Sequence, residues 1–505
     1  MSGTLKRYAL RTLGCKANTY DSQLLEAELQ ARGWVPAREG ESADLCLVNS
    51  CTVTNEADKL SRKTATRLAR LNAGAPVVIT GCGAEVDPRG MASTPGLTHV
   101  VSNRDKPKLL AMLDELATAA RLSQPRETNG GAEVLGSALG YDELRSRHPL
   151  DREWPLPDSL SISPQSLKAL RAPGAERNSA GRTRAFLKIQ EGCNSFCTFC
   201  IIPYGRGPSR SLRPRAILEQ IQALVEDGAR EVVLTGTNVG DYGMEWAPKG
   251  TALEELLTMI FQETAIERVR VSSLDPTEIT PGLLLLVETE PRMCPHFHVS
   301  LQSPHTGILR LMKRGYGFDE VERCLRALAG LKPAAGTPNG VYVGMDLITG
   351  FPGETDEIFA WTRDALGALP WTRLHVFPYS ERASTPATRL PGSVPVAIRK
   401  RRARELQALN LRRVEAHYHA ARARHGNSIE DVLIESPHAG PNGAEGWWMG
   451  HTRDYLRVLV EHPGGVPATF ENTVVTGSLR GLLRLKDAGE AALLASFTSP
   501  LPTRS

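Results

Sequence analysis

The chain has 505 residues, of which 41% are hydrophobic and 23% charged, and its formal net charge is +4. This composition is ordinary for a soluble globular protein, and the length is too great for one core, so we expect about three domains. The sequence has no run of about 18 apolar residues, which a membrane span needs, and no long apolar segment of the signal-peptide kind at its start. These features predict a cytoplasmic protein with no membrane partner.

The nine cysteines are odd in number and clustered along a long chain, which argues against a disulfide framework. In a reducing compartment, clustered cysteines more often bind metal or carry out chemistry.

The first predicted domain, residues 1–115, alternates strands and helices. Short apolar runs predict buried parallel strands at Arg7–Leu13, Leu45–Asn49 and Pro76–Thr80. Helical stretches lie between them, at Asp21–Arg32 and Glu56–Asn72. We therefore expect an α/β fold that opens with a parallel βαβ sheet.

Residues 116–180 contain several prolines and have poor periodicity, so they are predicted to be a linker or insertion. A second βα series over residues 181–425 predicts an open or partial parallel (β/α)6 barrel, whose sites lie at the C-terminal strand ends. Its six predicted strands are Ala185–Gln190, Glu231–Thr235, Val269–Ser273, His296–Leu301, Val341–Ile348 and Leu374–Phe377.

A long helix at Ala397–His425 ends this domain. Short alternating segments then predict a small β-barrel over residues 426–487, and the tail at 488–505 has no clear structure. The predicted barrel segments are Ser428–Ile434, Gly446–Gly450, Tyr455–Val460 and Thr473–Arg480.

Cys193, Cys197 and Cys200 form a Cys-x3-Cys-x2-Cys motif directly after the first strand of the second series. Thiolates hold iron–sulfur clusters, and a [4Fe–4S] cube normally takes four, so three leave one iron open for a small molecule. The alternative is zinc, which wants four ligands and usually two paired spacings. No second Cys or His pair lies nearby in the sequence, so the spacing favours a cluster.

Cys15, Cys51 and Cys82 each stand where a predicted strand ends. Because the C-terminal ends of adjacent parallel strands converge, these thiols are expected to meet and hold a second cluster. The alternative, that small residues simply suit strand ends, explains one cysteine better than three. The remaining cysteines are interpreted as small core residues: Cys46, Cys294 and Cys324.

A Cys-x3-Cys-x2-Cys motif that opens a six-fold βα barrel resembles the radical S-adenosylmethionine (SAM) enzymes. In that family the open iron binds and reduces SAM, and the resulting 5′-deoxyadenosyl radical abstracts hydrogen from an unreactive C–H bond. Two cysteine triplets in this order resemble the methylthiotransferases. The resemblance implies two [4Fe–4S] clusters and SAM as cofactors, with the sulfur for transfer held at the N-terminal cluster.

The resemblance covers nearly the whole chain except about residues 121–180 and the tail. It is closest to the branch that acts on N6-threonylcarbamoyladenosine in tRNA, which implies a methylthio group added at C2 of that nucleoside beside the anticodon. Two positions depart from the branch: Gly83 stands where an aromatic residue is usual, and Pro304 where glycine is usual. The matching motifs are Thr12–Asp21, Asn49–Asp58, Cys200–Gly207, Gly350–Thr355 and His375–Ser380.

The implied partners are the tRNA anticodon loop and a reductant protein of the flavodoxin or ferredoxin type, whereas the sequence does not identify the sulfur donor. One alternative is the same chemistry on isopentenyladenosine in tRNA or on an aspartate of a ribosomal protein. A non-enzymatic alternative is an RNA-binding iron–sulfur protein that senses redox state.

Several residues at strand ends are candidates to bind SAM. The turn with Gly350 and Gly353 follows the fifth strand and is predicted either to approach the cofactor through its backbone or to be an ordinary βα turn. The polar candidates are Ser272, Ser273, Ser300, Gln302 and Asp346.

Three basic stretches predict contact with phosphates: Lys59–Arg70, Arg206–Arg215 and Arg399–Arg424. The small β-barrel resembles the TRAM module, an RNA-binding fold. Its aromatic residues are predicted either to stack on bases or to form the barrel core. They are Trp447, Trp448 and Tyr455.

Overall fold

The fold is mixed α/β with parallel sheets, and a closed barrel of five strands stands at the C-terminal end, so the predicted fold class is confirmed. The computed structural model describes residues 6–38, 40–109, 112, 132–135, 154, 183–246, 252–464, 470–484 and 491–500. Most of the linker or insertion predicted at 116–180 therefore lies outside the described residues.

The N-terminal sheet is parallel throughout, with the order β2-β1-β3-β4-β5-β6. The sequence predicts β1, β3 and β4, whereas β2, β5 and β6 have only two or three residues and are too short to show a periodicity. Strand β6 lies inside the predicted linker or insertion, where this short segment pairs with β5 as an edge strand. The strands are Arg7–Thr12 (β1), Val35–Pro36 (β2), Leu45–Ser50 (β3), Val77–Gly81 (β4), His99–Val101 (β5) and Glu133–Leu135 (β6).

The helices of this sheet begin directly after the cysteine loops. The first helix starts at Lys16 rather than at the predicted Asp21, because Ala17, Asn18 and Tyr20 are already buried against the rest of the protein. The helices are Lys16–Ala31 (α1), Asn55–Leu71 (α2), Cys82–Val86 (α3) and Pro88–Ala92 (α4).

The central domain is a parallel partial barrel in which the six predicted strands are confirmed. The third of them is interrupted at Ser272, whose N–H donates to the carbonyl of Leu234 at 3.0 Å, so it is divided into β11 and β12. A short two-stranded sheet, β8 with β9, flanks the cysteine loop. The strands are Arg184–Lys188 (β7), Gln190–Glu191 (β8), Arg210–Ser211 (β9), Glu231–Thr235 (β10), Arg268–Val271 (β11), Ser273–Leu274 (β12), His296–Gln302 (β13), Tyr342–Thr349 (β14) and Arg373–Pro378 (β15).

Helices cover the outside of this partial barrel. None of the helices in the described residues is long and apolar enough to cross a membrane. They are Ile202–Arg206 (α5), Pro214–Glu226 (α6), Leu253–Glu263 (α7), Pro281–Thr289 (α8), Thr306–Leu311 (α9), Phe318–Gly330 (α10), Asp356–Ala368 (α11) and Val396–His425 (α12).

The interior of the partial barrel is polar. On β14, Met345 and Leu347 are buried in the apolar core under the helices, whereas Asp346 between them is partly exposed. Residues alternate between the two faces of a strand, so Asp346 points inward. His298 on β13 alternates with buried apolar neighbours in the same way. The interior is therefore a polar lumen that can admit a ligand.

The C-terminal β-barrel is closed by a strand that the sequence did not predict. The segment after Asp487 was expected to lack structure, and this was wrong: Ala491–Pro500 pairs with two other strands and closes the barrel. Its apolar residues face the barrel core. That core exists only once the five strands have closed into a barrel. The strands are Ser428–His438 (β16), Trp447–His451 (β17), Arg457–Glu461 (β18), Val474–Arg484 (β19) and Ala491–Pro500 (β20).

This β-barrel packs on the N-terminal ends of the partial-barrel strands. Arg268, the first residue of β11, donates to the carbonyl of Asp431 at 2.7 Å, and Arg270 donates to the carbonyl of Arg453 at 3.1 Å. Tyr455 inserts at the same end, with its ring 4.8 Å from the Arg270 guanidinium. The β-barrel thus covers the end of the lumen opposite to the cysteine loops.

Candidate active site

Two polar side chains hold the N-terminal cysteine loops together. Asn18 donates from Nδ2 to the carbonyls of Leu13 at 2.7 Å and Ser50 at 2.9 Å. The Ser50 hydroxyl in turn donates to the carbonyl of Thr80 at 2.5 Å. These bonds join the ends of β1, β3 and β4, so the cysteines that follow the three strands are fixed relative to one another.

The structure places the three N-terminal thiols at the carboxyl edge of the sheet. Cys51 and Cys82 are buried and Cys15 is exposed. A side chain at Gly14 would lie 2.7 Å from the Cys51 sulfur, so the first loop crosses directly over the second cysteine. Burial, with negative charge at Cys82 and Cys15 adding to it, raises the pKa of Cys51 to about 12.

The central triplet lies on one loop that is fixed by its own backbone and by an arginine. The Cys193 N–H donates to the carbonyl of Gly207 at 3.1 Å, and the Cys200 N–H donates to the carbonyl of Cys197 at 3.0 Å. Arg314 donates from Nη1 to the Cys197 sulfur at 3.2 Å. Burial raises the pKa of Cys193 to about 11 and also raises those of Cys197 and Cys200.

The donor sets of both triplets fit iron–sulfur clusters. All nine cysteines are free thiols, as the sequence predicts. In the described residues, no three His, Cys, Asp or Glu side chains surround one point closely enough to hold a single metal ion. A [4Fe–4S] cube binds each thiolate to a different iron, so its ligands spread more widely than those of one ion. Each triplet offers three thiols, one fewer than the four ligands of a structural zinc site.

Arg314 ties the central cysteine loop to the wall of the lumen. Besides Cys197, it pairs with Asp275 and donates from Nη2 to the carbonyl of Ser300 at 3.0 Å. Asp241 lies near Cys193, and burial, together with the nearby Glu278, raises the pKa of its carboxyl to about 6. The central triplet thus has acidic side chains beside it, and Arg314 is a cation that partly offsets their negative charge.

The segment after the central triplet touches the N-terminal triplet. A side chain at Gly205 would lie 3.3 Å from the Cys82 Cβ atom, and the Gly205 carbonyl accepts from Asn103 at 3.0 Å. Arg206 is fully buried beside Cys82. Because this segment directly follows the central triplet, both triplets lie at the end of the partial barrel opposite to the C-terminal β-barrel, at the cavity mouth.

A buried ionic network joins the two domains at this point. Asp21 of α1 accepts from Lys106 at 2.7 Å and from Lys188 of β7 at 2.6 Å. Arg206 donates to Glu191 at 2.6 Å and to Asp21 at 3.1 Å. Burial alone would raise the pKa of Asp21, but the three cations hold it well below its usual value. Three cations against two carboxylates leave one positive charge in excess beside the N-terminal thiols.

The lumen wall opposite the network carries histidines. His298 lies 3.0 Å from an Asp346 carboxylate oxygen, and the rings of His298 and His375 are 5.3 Å apart. Burial, with nearby cations adding to it, lowers the pKa of His375 to about 4. Phe377, two residues further along β15, is 45% exposed and continues the same inward face towards the cavity mouth.

The other predicted cofactor residues lie apart from one another. Ser272 is buried at the break between β11 and β12, and Ser300 faces the lumen next to Arg314. Gly350 has φ +70°, and a side chain there would meet Arg399 at 2.3 Å, so helix packing already requires glycine. Gly353 donates to the carbonyl of Gly392 at 2.9 Å. These contacts describe an ordinary turn against α12, and cofactor binding by these residues stays a prediction.

Several of the arginines that were predicted to contact phosphates are buried, so the prediction is wrong for them. Arg206 belongs to the interdomain network, and Arg399 and Arg402 are buried in pairs with Glu381 and Glu354. Basic residues that remain exposed are Lys59, Lys63, Arg67 and Arg70 on α2, Arg213 and Arg215 at the start of α6, and Lys400, Arg401, Arg404, Arg412, Arg422 and Arg424 on α12.

The base-stacking interpretation of the barrel aromatics is wrong for Trp447 and Trp448, which are 6% and 2% exposed in the barrel core. Trp448 packs edge-on against Phe470 with a centroid distance of 5.5 Å. Tyr455 lies in the interface with the partial barrel, where Arg184 donates to its hydroxyl at 3.3 Å. When both faces of a strand are covered, the alternation of apolar and polar residues in the sequence does not show which aromatic residues lie in the core.

The sequence also missed residues that only the tertiary fold brings to the site. Asn18 and Arg314 position cysteine loops, and His298 faces the lumen. Each is a single polar residue in an otherwise ordinary helix, loop or strand. The matching motifs contain Asn18 and Arg206, so motif membership was the only available signal for those two.

Comparison with known proteins agrees with this architecture. Residues 7–102 match "Uncharacterized protein family UPF0004" and residues 187–366 match "Radical SAM superfamily". A threonylcarbamoyladenosine tRNA methylthiotransferase MtaB of Aquifex aeolicus is 34% identical over 85% of this chain and 93% of its own. The protein of the same name from Bacillus subtilis is 31% identical over 89% of each chain.

A solved structure shows the same fold. The radical SAM methyltransferase TsrM from Kitasatospora setae, with tryptophan and a SAM analogue bound, has a TM-score of 0.50 and 18% identity over 76% of this chain and 74% of that one. Domain content and relatives also imply SAM and [4Fe–4S] clusters as cofactors. Together with the two cysteine triplets, these matches show that the chain belongs to the radical SAM methylthiotransferases, in the MtaB branch.

Proposed function

We propose that this enzyme adds a methylthio group to C2 of N6-threonylcarbamoyladenosine beside the anticodon of tRNA. The observation that carries the proposal is the packing of the segment that follows the central triplet on the N-terminal triplet, with Gly205 of α5 against Cys82. Two clusters held at one end of the barrel suit a reaction that needs both a radical and a sulfur atom at one carbon. The substrate is the one named for the relatives from Aquifex aeolicus and Bacillus subtilis.

The two triplets would divide the work. Cys193, Cys197 and Cys200 would hold the cluster that binds SAM, and Cys15, Cys51 and Cys82 the cluster that holds sulfur. When bound, these groups supply a radical that removes hydrogen from C2 and the sulfur and methyl that replace it. Ser272, Ser300, Asp346, Gly350 and Gly353 are proposed to contact SAM.

The protein's own residues position these groups. Arg314 holds Cys197 against the lumen wall, and its charge offsets the negative charge of thiolates. Arg206, which is buried beside Cys82, offsets the negative charge of that thiolate. Because both arginines are buried and paired, the thiolates have fixed cations beside them before any ligand arrives.

A basic face on α2 would bind the tRNA backbone. Lys63, Arg67 and Arg70 recur at helical spacing on one face and line a groove of about 500 Å³ together with hydroxyls at Thr66 and Ser93. None of these three cations pairs with a carboxylate in the described part of the chain. Cations without acidic partners are free to neutralise phosphates.

The position of α2 relates this groove to the cavity. The helix begins just after Cys51, and Asn55 accepts from Arg382 of the loop that follows β15 at 2.7 Å. Its basic face therefore starts at the cavity mouth and runs outward. A nucleotide whose base enters the cavity would leave its phosphate chain along this helix. We also infer a cytoplasmic location, where tRNA resides, and a reductant protein of the flavodoxin or ferredoxin type as partner.

The test is nucleoside analysis of the reaction itself. The reconstituted enzyme, with SAM, reductant and tRNA that carries threonylcarbamoyladenosine, is expected to give the 2-methylthio nucleoside by mass spectrometry. Iron analysis is expected to give about eight irons per chain rather than about four. Methylthiolation of isopentenyladenosine tRNA or of a protein instead would overturn the substrate assignment. Absence of SAM cleavage would favour the redox sensor.

A further inference from the structure

A pocket of about 400 Å³ lies at the C-terminal ends of the partial-barrel strands, and this volume is within the range of small-ligand sites. Tyr204 of α5 lines one side, and the loop that follows β15 lines the other. We call it the Tyr204 pocket. Its lining residues are Tyr204, Ser384, Pro386, Thr388 and Arg389.

The loop that lines this pocket is fixed between the two cysteine triplets. Its Arg382 donates from Nη2 to the hydroxyl of Thr52, the residue directly after the second N-terminal cysteine, at 2.6 Å. Its Ala387 N–H donates to the carbonyl of Thr198, inside the central cysteine loop, at 2.8 Å. An occupant of the Tyr204 pocket would therefore be held beside the segments that carry both triplets.

Tyr204 offers the pocket an aromatic ring without a partner. Its neighbour Gly205 packs on Cys82, which fixes this part of α5 in place. Tyr204 is half-buried, and among the described residues its ring contacts no other ring or cation and its hydroxyl makes no hydrogen bond. An aromatic side chain that lines a pocket suits a nucleic-acid base, because every base has a flat π face on which to stack.

The opposite side of the pocket carries a cation. Arg389 is exposed, and it pairs with no carboxylate in the part of the chain that the structure describes. Arg382 of the same loop is the contrasting case, since it is buried and pairs with Asp58 at 2.7 Å. A guanidinium without an acidic partner is suited to bind a phosphate through two parallel hydrogen bonds. A ring on one side and this cation on the other match the two ends of a nucleotide.

We propose that the Tyr204 pocket binds the nucleotide next to the modified adenosine, with its base stacked on Tyr204 and its phosphate paired with Arg389. The proposal rests on the proposed function and deepens it, because it names the part of the RNA that the enzyme holds. The modified base itself has to reach the lumen, where SAM is proposed to bind, so a pocket beside the lumen receives a neighbour. The same loop contacts Asn55 at the start of α2, so the phosphate chain would continue from Arg389 towards the basic face of that helix.

The experiment measures how an anticodon stem-loop RNA that carries threonylcarbamoyladenosine binds to the full-length reconstituted enzyme without reductant. Tyr204→Leu is expected to raise Kd roughly 5- to 150-fold, as for a lost base–aromatic stack. Tyr204→Phe keeps the ring and is expected to bind as the wild type does. Arg389→Gln is expected to weaken binding and to lower its salt dependence by about 1 in log–log slope.

Matched controls remove an exposed aromatic ring and a paired cation elsewhere. Trp361→Leu removes a ring that is 40% exposed but lies outside the pocket, and it is expected to keep the wild-type Kd. Arg326→Gln removes a cation that Glu322 already neutralises, and it is expected to leave the salt dependence unchanged. Iron content establishes that each variant has folded with both clusters.

Stem-loops that lack one base identify the nucleotide in the pocket. When the base on one side of the modified adenosine is removed, the wild type is expected to bind about as weakly as Tyr204→Leu binds the intact RNA. Tyr204→Leu is expected to cost little more on that abasic RNA. If the cost of Tyr204→Leu disappears only when the modified base itself is removed, that base occupies the pocket and the assignment to a neighbour is overturned.

Other outcomes overturn the proposal in recognisable ways. Equal losses for Tyr204→Phe and Tyr204→Leu would exclude stacking as the role of the ring. A raised KM for SAM in 5′-deoxyadenosine formation without RNA would assign the pocket to the adenine of SAM. Wild-type affinity in both Tyr204→Leu and Arg389→Gln would show that the pocket holds no nucleotide. Because binding is measured without turnover, the absence of a methylthio product would overturn the proposed function separately.

Discussion

The two cysteine triplets are built in different ways. Cys193, Cys197 and Cys200 come from one continuous loop, whereas Cys15, Cys51 and Cys82 come from three strand ends of one sheet. The first set is close together already in the sequence, and backbone hydrogen bonds to Gly207, Met312 and Ala387 fix its loop in the fold. The second exists only when three strands are in register and Asn18 joins their ends.

The two triplets therefore depend on different parts of the structure. The central loop depends on the segment around Met312, which accepts from the Thr198 N–H at 3.0 Å, and on Arg314, which donates to the Cys197 sulfur. The N-terminal triplet depends on the sheet and on the buried network through Arg206. Substitutions around the N-terminal triplet should therefore lower the stability of the protein as well as its activity.

The largest expected effect is the loss of the central triplet's chemistry. Cys197→Ala removes one of three thiolates from the proposed SAM cluster, so reductive SAM cleavage should be abolished, along with all product. The measurement is 5′-deoxyadenosine formation by a variant whose iron content shows that the N-terminal cluster is retained. Cleavage at the wild-type rate would contradict the assignment.

The next effect concerns the network that joins the triplets. Arg206→Met leaves Asp21 and Glu191 with fewer partners, and breaking a buried pair on one side typically costs about 3–5 kcal/mol. Urea unfolding under anaerobic conditions should show this loss. Arg326→Gln breaks an exposed pair with Glu322 and should cost about 0.5 kcal/mol or less. Equal costs for both variants would mean that the network does not stabilise the interface.

The third effect tests the RNA surface beside the N-terminal triplet. Reversing Lys63, Arg67 and Arg70 to Glu should weaken tRNA binding and lower the salt dependence of binding by about 3 in log–log slope. SAM cleavage without tRNA should be unchanged, because the groove lies outside the cavity.

A matched control is the reversal of Arg323 and Arg326, which are already neutralised by Glu320 and Glu322. Comparable loss in the control would show that only net charge matters. Truncation at Asn427 is a poorer test, since it would uncover Arg268 and Arg270, which the β-barrel now covers.

The smallest effect compares how readily the two clusters are lost. Cys15 is exposed while Cys197 is buried, so a chelator should remove about four irons from the N-terminal triplet first, by a few-fold in rate. The measurement is iron release followed together with SAM cleavage. SAM cleavage that falls in step with the release of the first four irons would contradict this order.

The features that could be predicted from the sequence are those that depend on a local pattern of residues. The strands of both α/β domains and the central motif follow from apolar runs and cysteine spacing, and the edge position of Cys15, Cys51 and Cys82 follows from parallel topology. Strand β20 was missed because its apolar residues acquire a partner only when the barrel closes.

Charge was the hardest feature to predict. Arg206 and Arg402 resemble solvent-exposed basic residues in the sequence, yet each is buried opposite a carboxylate from another element. Whether a charge is paired depends on contacts between distant segments, which periodicity does not contain.

The most direct test of the central claim, that radical and sulfur come from different triplets, is product analysis of Cys51→Ala. The variant must first be shown folded, with its central cluster present, because loss of a cluster can unfold a domain. If the two triplets divide the reaction in this way, the variant still forms 5′-deoxyadenosine from SAM but yields no methylthio nucleoside. Methylthiolation of tRNA at the normal rate would show that the N-terminal triplet is structural and would contradict the mechanism.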